Sequence, residues 1–123
     1  IGFPGETREL IFDTIKLNRR LNPRTINVLL FVPYKGTFLY QYCVENGYLD
    51  KNTELKGHPM IEGVELKMAS IGYEELRGLH RTFNLYVRFP ESEWPRIKLA
   101  EKFDEEGNKT FEEFKKIYQK KYF

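Results

Sequence analysis

The run INVLLFV, residues 26–32, decides how the rest of the chain is interpreted. Six of its seven residues are apolar, they do not alternate with polar ones, and Pro33 follows directly. A short, continuous apolar run that ends at a proline is typical of a β-strand covered on both faces, as in parallel sheets packed between helices. The run therefore predicts a buried parallel strand.

Helical patterns lie on both sides of this run. Before it, the sequence predicts a helix from Thr7, a suitable N-cap, to Leu21, where an Asn-Pro pair stops it. After it, a Gly-Thr pair opens a second helix, Phe38 to Asn46, and Gly47 ends it. The predicted stripe of the first helix is Leu10, Thr14, Leu17 and Leu21, with Ile11 and Ile15 beside it. With an N terminus that looks like the end of a strand, residues 1–50 predict the alternating order of an α/β fold.

Residues 51–123 predict a mainly α-helical region. Ser70 is a suitable N-cap for a helix that ends before Pro90, and Ser92 for a shorter one that tolerates Pro95 in its first turn. Thr110 starts the final helix by its capping-box pattern, after a helix-breaking turn at residues 104–108. The predicted architecture is a partial β/α-barrel fragment, residues 1–50, followed by a helical C-terminal extension, residues 51–123.

Composition excludes several classes of protein. Twenty Lys and Arg against eighteen Asp and Glu give a net charge of +2, too near neutral for a nucleic-acid-binding footprint. The single cysteine, Cys43, cannot form an internal disulfide, which favours a cytoplasmic protein and a buried structural thiol. No apolar run approaches the ~18 residues that a membrane span needs. His58 and His80 have no partner at metal-ligand spacing, so the sequence predicts no metal site.

The N-terminal run GFPGET, residues 2–7, has the pattern of a strand-to-helix turn. Its two glycines permit close approach of the backbone to a ligand, and Thr7 starts a helix with free N–H groups. Many such turns are purely structural, so the run alone predicts a ligand contact and a plain turn equally well.

Several motifs together resemble one enzyme family. They are IGFPGET at 1–7, PYKGT at 33–37, LYQYCVENGY at 39–48, RTFNLYVRFP at 81–90 and WP at 94–95. These runs are similar to the C-terminal portion of radical S-adenosylmethionine enzymes of the type that carries a cobalamin-binding domain, proteins resembling Fe–S oxidoreductases. The resemblance covers nearly the whole chain, and its more specific motifs lie in the first fifty residues.

The resemblance implies a cofactor site in the full-length parent. It assigns S-adenosylmethionine contacts to Gly2, Phe3, Gly5 and Glu6, and then to Phe31 and Pro33. It also implies a [4Fe–4S] cluster, and cobalamin as a further cofactor. The chain departs from the family because the CxxxCxxC cluster motif is absent and only Cys43 is present. One thiolate cannot hold such a cluster, so the chain alone is expected to be catalytically inert and to bind no iron.

A second interpretation is a helical module for protein–protein interaction or self-association, without catalysis. In the first interpretation the partner is the remainder of the parent barrel. In either case a strand with an uncovered edge predicts a homo-oligomer for the isolated chain. These residues identify no substrate.

Overall fold

The computed structural model describes residues 1–56 and 58–123, and in them it contains helices and loops but no β-strand. The helices are α1 (Arg8–Leu21), α2 (Phe38–Glu45), α3 (Tyr73–Arg88), α4 (Trp94–Ala100) and α5 (Glu105–Tyr122), with one 3₁₀ turn at Glu91–Glu93. The predicted α/β class, with a β/α-barrel fragment at residues 1–50, is therefore wrong.

The run at residues 26–32 is extended, but no sheet forms around it. Its neighbours give it isolated hydrogen bonds: Ile1 N donates to Leu29 O at 2.8 Å, and Phe31 N donates to Ile1 O at 2.8 Å. On another side Leu30 N donates to Pro59 O, and the side chains of His80 and Asn84 lie within hydrogen-bond distance of the carbonyls of Val28 and Ile26. A strand needs a repeating ladder of backbone bonds, and helix α3 takes the place of one partner. The run is also open on one side, since Asn27 and Leu29 are exposed.

Helix α1 begins and ends as its sequence indicates. Thr7 caps it by accepting a hydrogen bond from Leu10 N, and Asn22 ends it in the left-handed conformation at φ 45°. Its buried side chains are Ile11 and Ile15, which pack towards α3. The predicted leucine stripe instead faces outwards, because the core lies about 120° around the helix from it.

The second half of the chain is helical, as predicted, but three helix starts differ. Helix α3 is capped by Gly72 and not by Ser70, and α4 follows a 3₁₀ turn that includes Ser92. Helix α5 begins at Glu105, because Asp104 accepts a hydrogen bond from Gly107 N at 2.7 Å and so caps it. Thr110 lies inside α5, and the predicted turn at residues 104–108 is its first turn.

One main core lies between α1, α3, α4 and α5. Its most deeply buried side chains are Ile11, Ile15, Leu79, Phe83, Tyr86, Ile97 and Phe114. A smaller cluster of Cys43, Leu49 and Leu66 lies beneath α2, and Met68 packs against both clusters. The main core thus draws on residues before and after position 50, while the division into units 1–50 and 51–123 stays a prediction.

Arginine side chains cap the ends of two helices. Arg19 of α1 donates to the carbonyls of Tyr86, Val87 and Phe89 at 2.7, 3.0 and 2.6 Å, at the C-terminal end of α3. Arg81 of α3 donates to Ala100 O and Lys102 O, at the end of α4. Carbonyls in the last turn of a helix have no partner within it, so these bonds satisfy groups that would otherwise be left unpaired.

Among the described residues, none of the helices combines the length and the apolar character needed to span a lipid bilayer.

The imidazole of His80 connects α3 to the extended run, and it predicts a pH dependence of stability. Its Nε2 lies 2.9 Å from Val28 O, so this nitrogen carries the proton and donates. Burial lowers the pKa of His80 below its usual value of 6.5, and the bond to Val28 only partly opposes this. The unfolded chain therefore takes up the second imidazole proton, on Nδ1, at a higher pH than the folded chain does. Stability should be lost as the pH falls through about 6.5 towards the folded pKa.

We expect the variant His80→Gln, which keeps a donor for Val28 O, to lose part of this pH dependence. Urea unfolding at pH 7.5 and 5.5 measures it. The difference in the free energy of unfolding between the two pH values should be smaller in this variant than in the wild type. His58→Gln, at an exposed histidine, is the matched control. An identical pH dependence in His80→Gln and the wild type would contradict the prediction.

Candidate functional site

The turn at residues 2–6 holds its shape through two internal hydrogen bonds. Gly2 N donates to Glu6 Oε1 at 2.5 Å, and Glu6 N donates to Phe3 O at 2.9 Å. Gly2 and Gly5 have φ values of 92° and 80°, in the region that favours glycine. Local sequence is thus sufficient to form this turn, with the Glu6 carboxylate directed back to the backbone at its start.

Gly2 is required for a second reason. A Cβ at this position would lie 2.7 Å from Cδ2 of Leu76, a buried residue of α3. The N-terminal backbone therefore approaches α3 more closely than any side chain would permit. Gly2 supports the turn, and its buried backbone offers no surface to a ligand.

Four of the six predicted cofactor residues come together here. The rings of Phe3 and Phe31 stack with centroids 5.1 Å apart, and Gly2 and Glu6 share the hydrogen bond described above. Gly5 lies exposed within the turn, and Phe3 keeps 51% of its surface exposed. Pro33 is fully buried, so its side chain offers no surface to a ligand. Whether any of the six contacts a cofactor stays a prediction.

The space behind the turn is too small for a cofactor. Gly2 and Phe31 line a cavity of about 10 Å³ together with Leu76 and Tyr73. Such a volume accommodates about one water molecule. A ligand at this turn would have to lie on its open side, against Phe3, Gly5 and Glu6.

The donor set does not fit an iron–sulfur cluster. Within residues 1–56 and 58–123 no group of three or more His, Cys, Asp or Glu side chains is arranged to hold a metal ion. The one thiol, Cys43, is fully buried in the smaller core cluster, and burial raises its pKa. A protonated, buried thiol is a packing residue, as the sequence indicated.

A polar cluster that the sequence did not reveal lies at the same, N-terminal end of α1, where Arg8 is the first helical residue. Arg8 donates from Nη1 and Nη2 to the two carboxylate oxygens of Glu101, at 2.9 and 2.7 Å, and Tyr86 Oη donates to Glu101 Oε1 at 2.5 Å. Arg8 also contacts Glu75 at 3.3 Å. The bond to Glu101 raises the pKa of Arg8, while burial, followed by that carboxylate, raises the pKa of Tyr86. Both groups are therefore held in their protonated forms, and Glu101 serves as the shared acceptor.

An open groove of about 630 Å³ lies beside this cluster. Arg8, Lys98 and Lys102 line it together with Glu74, Glu75 and Asp104, so positive and negative charges are mixed along it. Arg8 and Glu101 are 93 positions apart, and no local motif connects them. The cluster already satisfies its own donors and acceptors, which is typical of a structural ion pair.

Comparison with known proteins gives one significant similarity. The chain is 28% identical over 109 residues, 87% of its length, to an uncharacterized methyltransferase of Pyrococcus horikoshii. The chain spans 22% of the length of that relative. No family model and no solved structure matches the chain.

These findings overturn the resemblance to a radical S-adenosylmethionine enzyme. The relative is named a methyltransferase, and the described residues contain no strand from which a barrel fragment could be built. The Fe–S oxidoreductase, [4Fe–4S] and cobalamin interpretations have no support in the donor set or in the relative. The interpretation of the chain as a piece of such a barrel is therefore wrong.

Proposed function

We propose that this chain is a helical, non-catalytic module of an S-adenosylmethionine-dependent methyltransferase, and that its N-terminal turn forms the open edge of the methyl-donor site. The observation that carries the proposal is the turn itself, which holds the half-exposed ring of Phe3 and the Glu6 carboxylate within one hydrogen-bonded segment. The similarity to a methyltransferase over 87% of the chain supports it.

The side chains of Phe3 and Glu6 suit the two parts of an adenosine group, adenine and ribose. The Phe3 ring, backed by Phe31, offers an aromatic face on which adenine can stack. The Glu6 carboxylate accepts one hydrogen bond from Gly2 N and has further lone pairs for ribose hydroxyls. S-adenosylmethionine supplies the methyl group, and the residues of this chain only bind and orient the S-adenosylmethionine. With one wall of a site, the isolated chain should bind weakly, with a Kd of about 1 mM or about −4 kcal/mol.

Amide chemical shifts measured by NMR during a titration with S-adenosylmethionine test the proposal. We expect saturable shifts confined to Gly2, Gly5 and Glu6. They should be weakened several-fold by Phe3→Ala and by Glu6→Gln. Phe38→Ala removes an equally large ring that is 79% exposed on α2, and it should leave the titration unchanged. Shifts that do not saturate, or that persist in both turn variants, would rule the turn out as a donor edge.

A second candidate function, a helical interaction module, is favoured by a different observation. Helix α1 exposes Leu10, Leu17 and Leu21 to solvent at 51%, 51% and 67%. Isolated exposed leucines are ordinary, but several on one face of a helix are typical of a docking surface.

A further inference from the structure

The outer face of α1 carries one continuous apolar stripe. At 100° per residue, Leu10, Leu17 and Leu21 project within about 40° of one another. Thr14 lies between them in sequence and projects about 20° beyond Leu21. We name these four residues the leucine stripe; it runs about 17 Å along the helix. Thr14 and Leu29 line the same small cavity, so the stripe borders the extended run.

Charged side chains follow one side of the leucine stripe in a fixed order. Glu9 and Asp13 lie on the N-terminal half of α1, and Lys16 and Arg20 on its C-terminal half. All four are exposed, and none takes part in an ion pair among the residues that the structure describes. The acidic half and the basic half are equal in length, so this flank is complementary to itself when reversed.

We propose that the leucine stripe binds α1 of a second copy of this chain, with the two helices antiparallel about a two-fold axis near Ile15. This arrangement places Leu10 against Leu21 of the second copy and Thr14 against its Leu17. The same axis brings Glu9 near Arg20 of the second copy and Asp13 near its Lys16. The core pairs are centred between Ile15 and Lys16 and the flank pairs between Thr14 and Ile15, so the two registers agree to within one residue, about 1.5 Å along the helix.

The charge order also selects against other arrangements. In a parallel pair with two-fold symmetry the two charged flanks would lie on opposite sides of the interface, so their charges would gain no partner from the second copy. The inference rests on the second candidate function and names its partner; it does not depend on the methyl-donor proposal. An interface of one helix per copy is at the small end of specific interfaces, so we expect a Kd on the order of 10–100 μM.

Sedimentation equilibrium from 5 to 500 μM, concentrations chosen to bracket that Kd, tests the inference. The wild type should change from monomer to dimer over this range. Leu17→Lys should abolish the change without loss of helical circular dichroism, because Leu17 is exposed. Phe38→Lys, at an exposed position of α2, is the matched control and should dimerise as the wild type does.

Exchange of charges tests the register. Asp13→Lys and Lys16→Asp should each weaken the dimer at least fivefold, since each places like charges together. The double variant D13K/K16D should restore it, because the reversed pair is again complementary. A dimer that survives Leu17→Lys, or a double variant as weak as the single ones, would overturn the proposal.

Fluorescence of the dye bis-ANS distinguishes this inference from the interaction function on which it rests. A wild type that binds the dye through the stripe, with binding lost in Leu17→Lys, but that stays monomeric at 500 μM, would overturn self-association alone. Dye binding that Leu17→Lys does not change, in a monomer, would overturn both.

Discussion

Replacing Glu101 with glutamine should lower the free energy of unfolding by about 3 kcal/mol, a large fraction of the stability of a domain of this size. Glu101 accepts hydrogen bonds from Arg8 and Tyr86, and its side chain is 9% exposed. Removing its charge leaves the guanidinium of Arg8 with only the longer contact to Glu75, at 3.3 Å, in a site where Arg8 is only 24% exposed. The estimate is at the lower end of the cost of breaking a buried pair, because water still reaches Arg8 in part.

Urea unfolding measures this loss, and a thermal scan should show a midpoint lower by about 10 °C. The matched control is Glu74→Gln on the same surface, because Glu74 is 71% exposed in its pair with Arg77. That change should cost less than about 0.5 kcal/mol. A triple variant, Arg8→Met, Glu101→Leu and Tyr86→Phe, should recover most of the stability, since apolar replacement of a whole buried network is often neutral. Equal losses in Glu101→Gln and Glu74→Gln would show that the cluster adds nothing beyond a surface pair.

Replacing Gly107 with alanine should also destabilise the protein by about 3 kcal/mol, at the upper end of the cost of overpacking. A Cβ at this position would lie 2.0 Å from Lys102 O and 2.8 Å from Leu99 O. Both are backbone atoms at the end of α4, so neither can turn aside as a side chain would. Helix propensity alone predicts the opposite sign, a gain of about 1 kcal/mol.

The control for this change is Gly72→Ala. Gly72 caps α3 at φ −73°, where an added Cβ would meet nothing within 4 Å. It should change the free energy of unfolding by less than about 1 kcal/mol. If Gly107→Ala were instead more stable than the wild type, the close approach of α4 and α5 would be absent in solution.

The sequence predicts elements whose signals are local. Thr7 and Asn22 fix both ends of α1, and the glycines at positions 2 and 5 define the N-terminal turn. The buried face of α1 was not predictable in the same way, because the leucine and isoleucine faces are both apolar. Packing of α3 against Ile11 and Ile15 decides between them.

Long-range contacts account for the remaining errors. The run at residues 26–32 has the composition of a strand, but its partners include His80 and Asn84 of α3, more than fifty residues away. The start of α5 was misplaced because Asp104 and Thr110 both match N-cap preferences. The fit of Gly107 against α4 favours the first of them.

The candidate site also combines local contacts, which the sequence predicts, with long-range contacts, which it does not. Gly2, Phe3 and Glu6 are neighbours in sequence, so their proximity follows from the turn. The ion pair between Arg8 and Glu101 was invisible, because it forms only when α1, α3 and α4 have packed together.

The bonds from Arg19 to the end of α3 have a consequence for how the molecule opens. When the last turn of α1 frays, three carbonyls of α3 lose their donor at the same moment. The ends of the two helices therefore form one cooperative unit in which neither unwinds alone. Their amide hydrogens should exchange with solvent at matched rates, although the two segments are almost seventy positions apart in the chain.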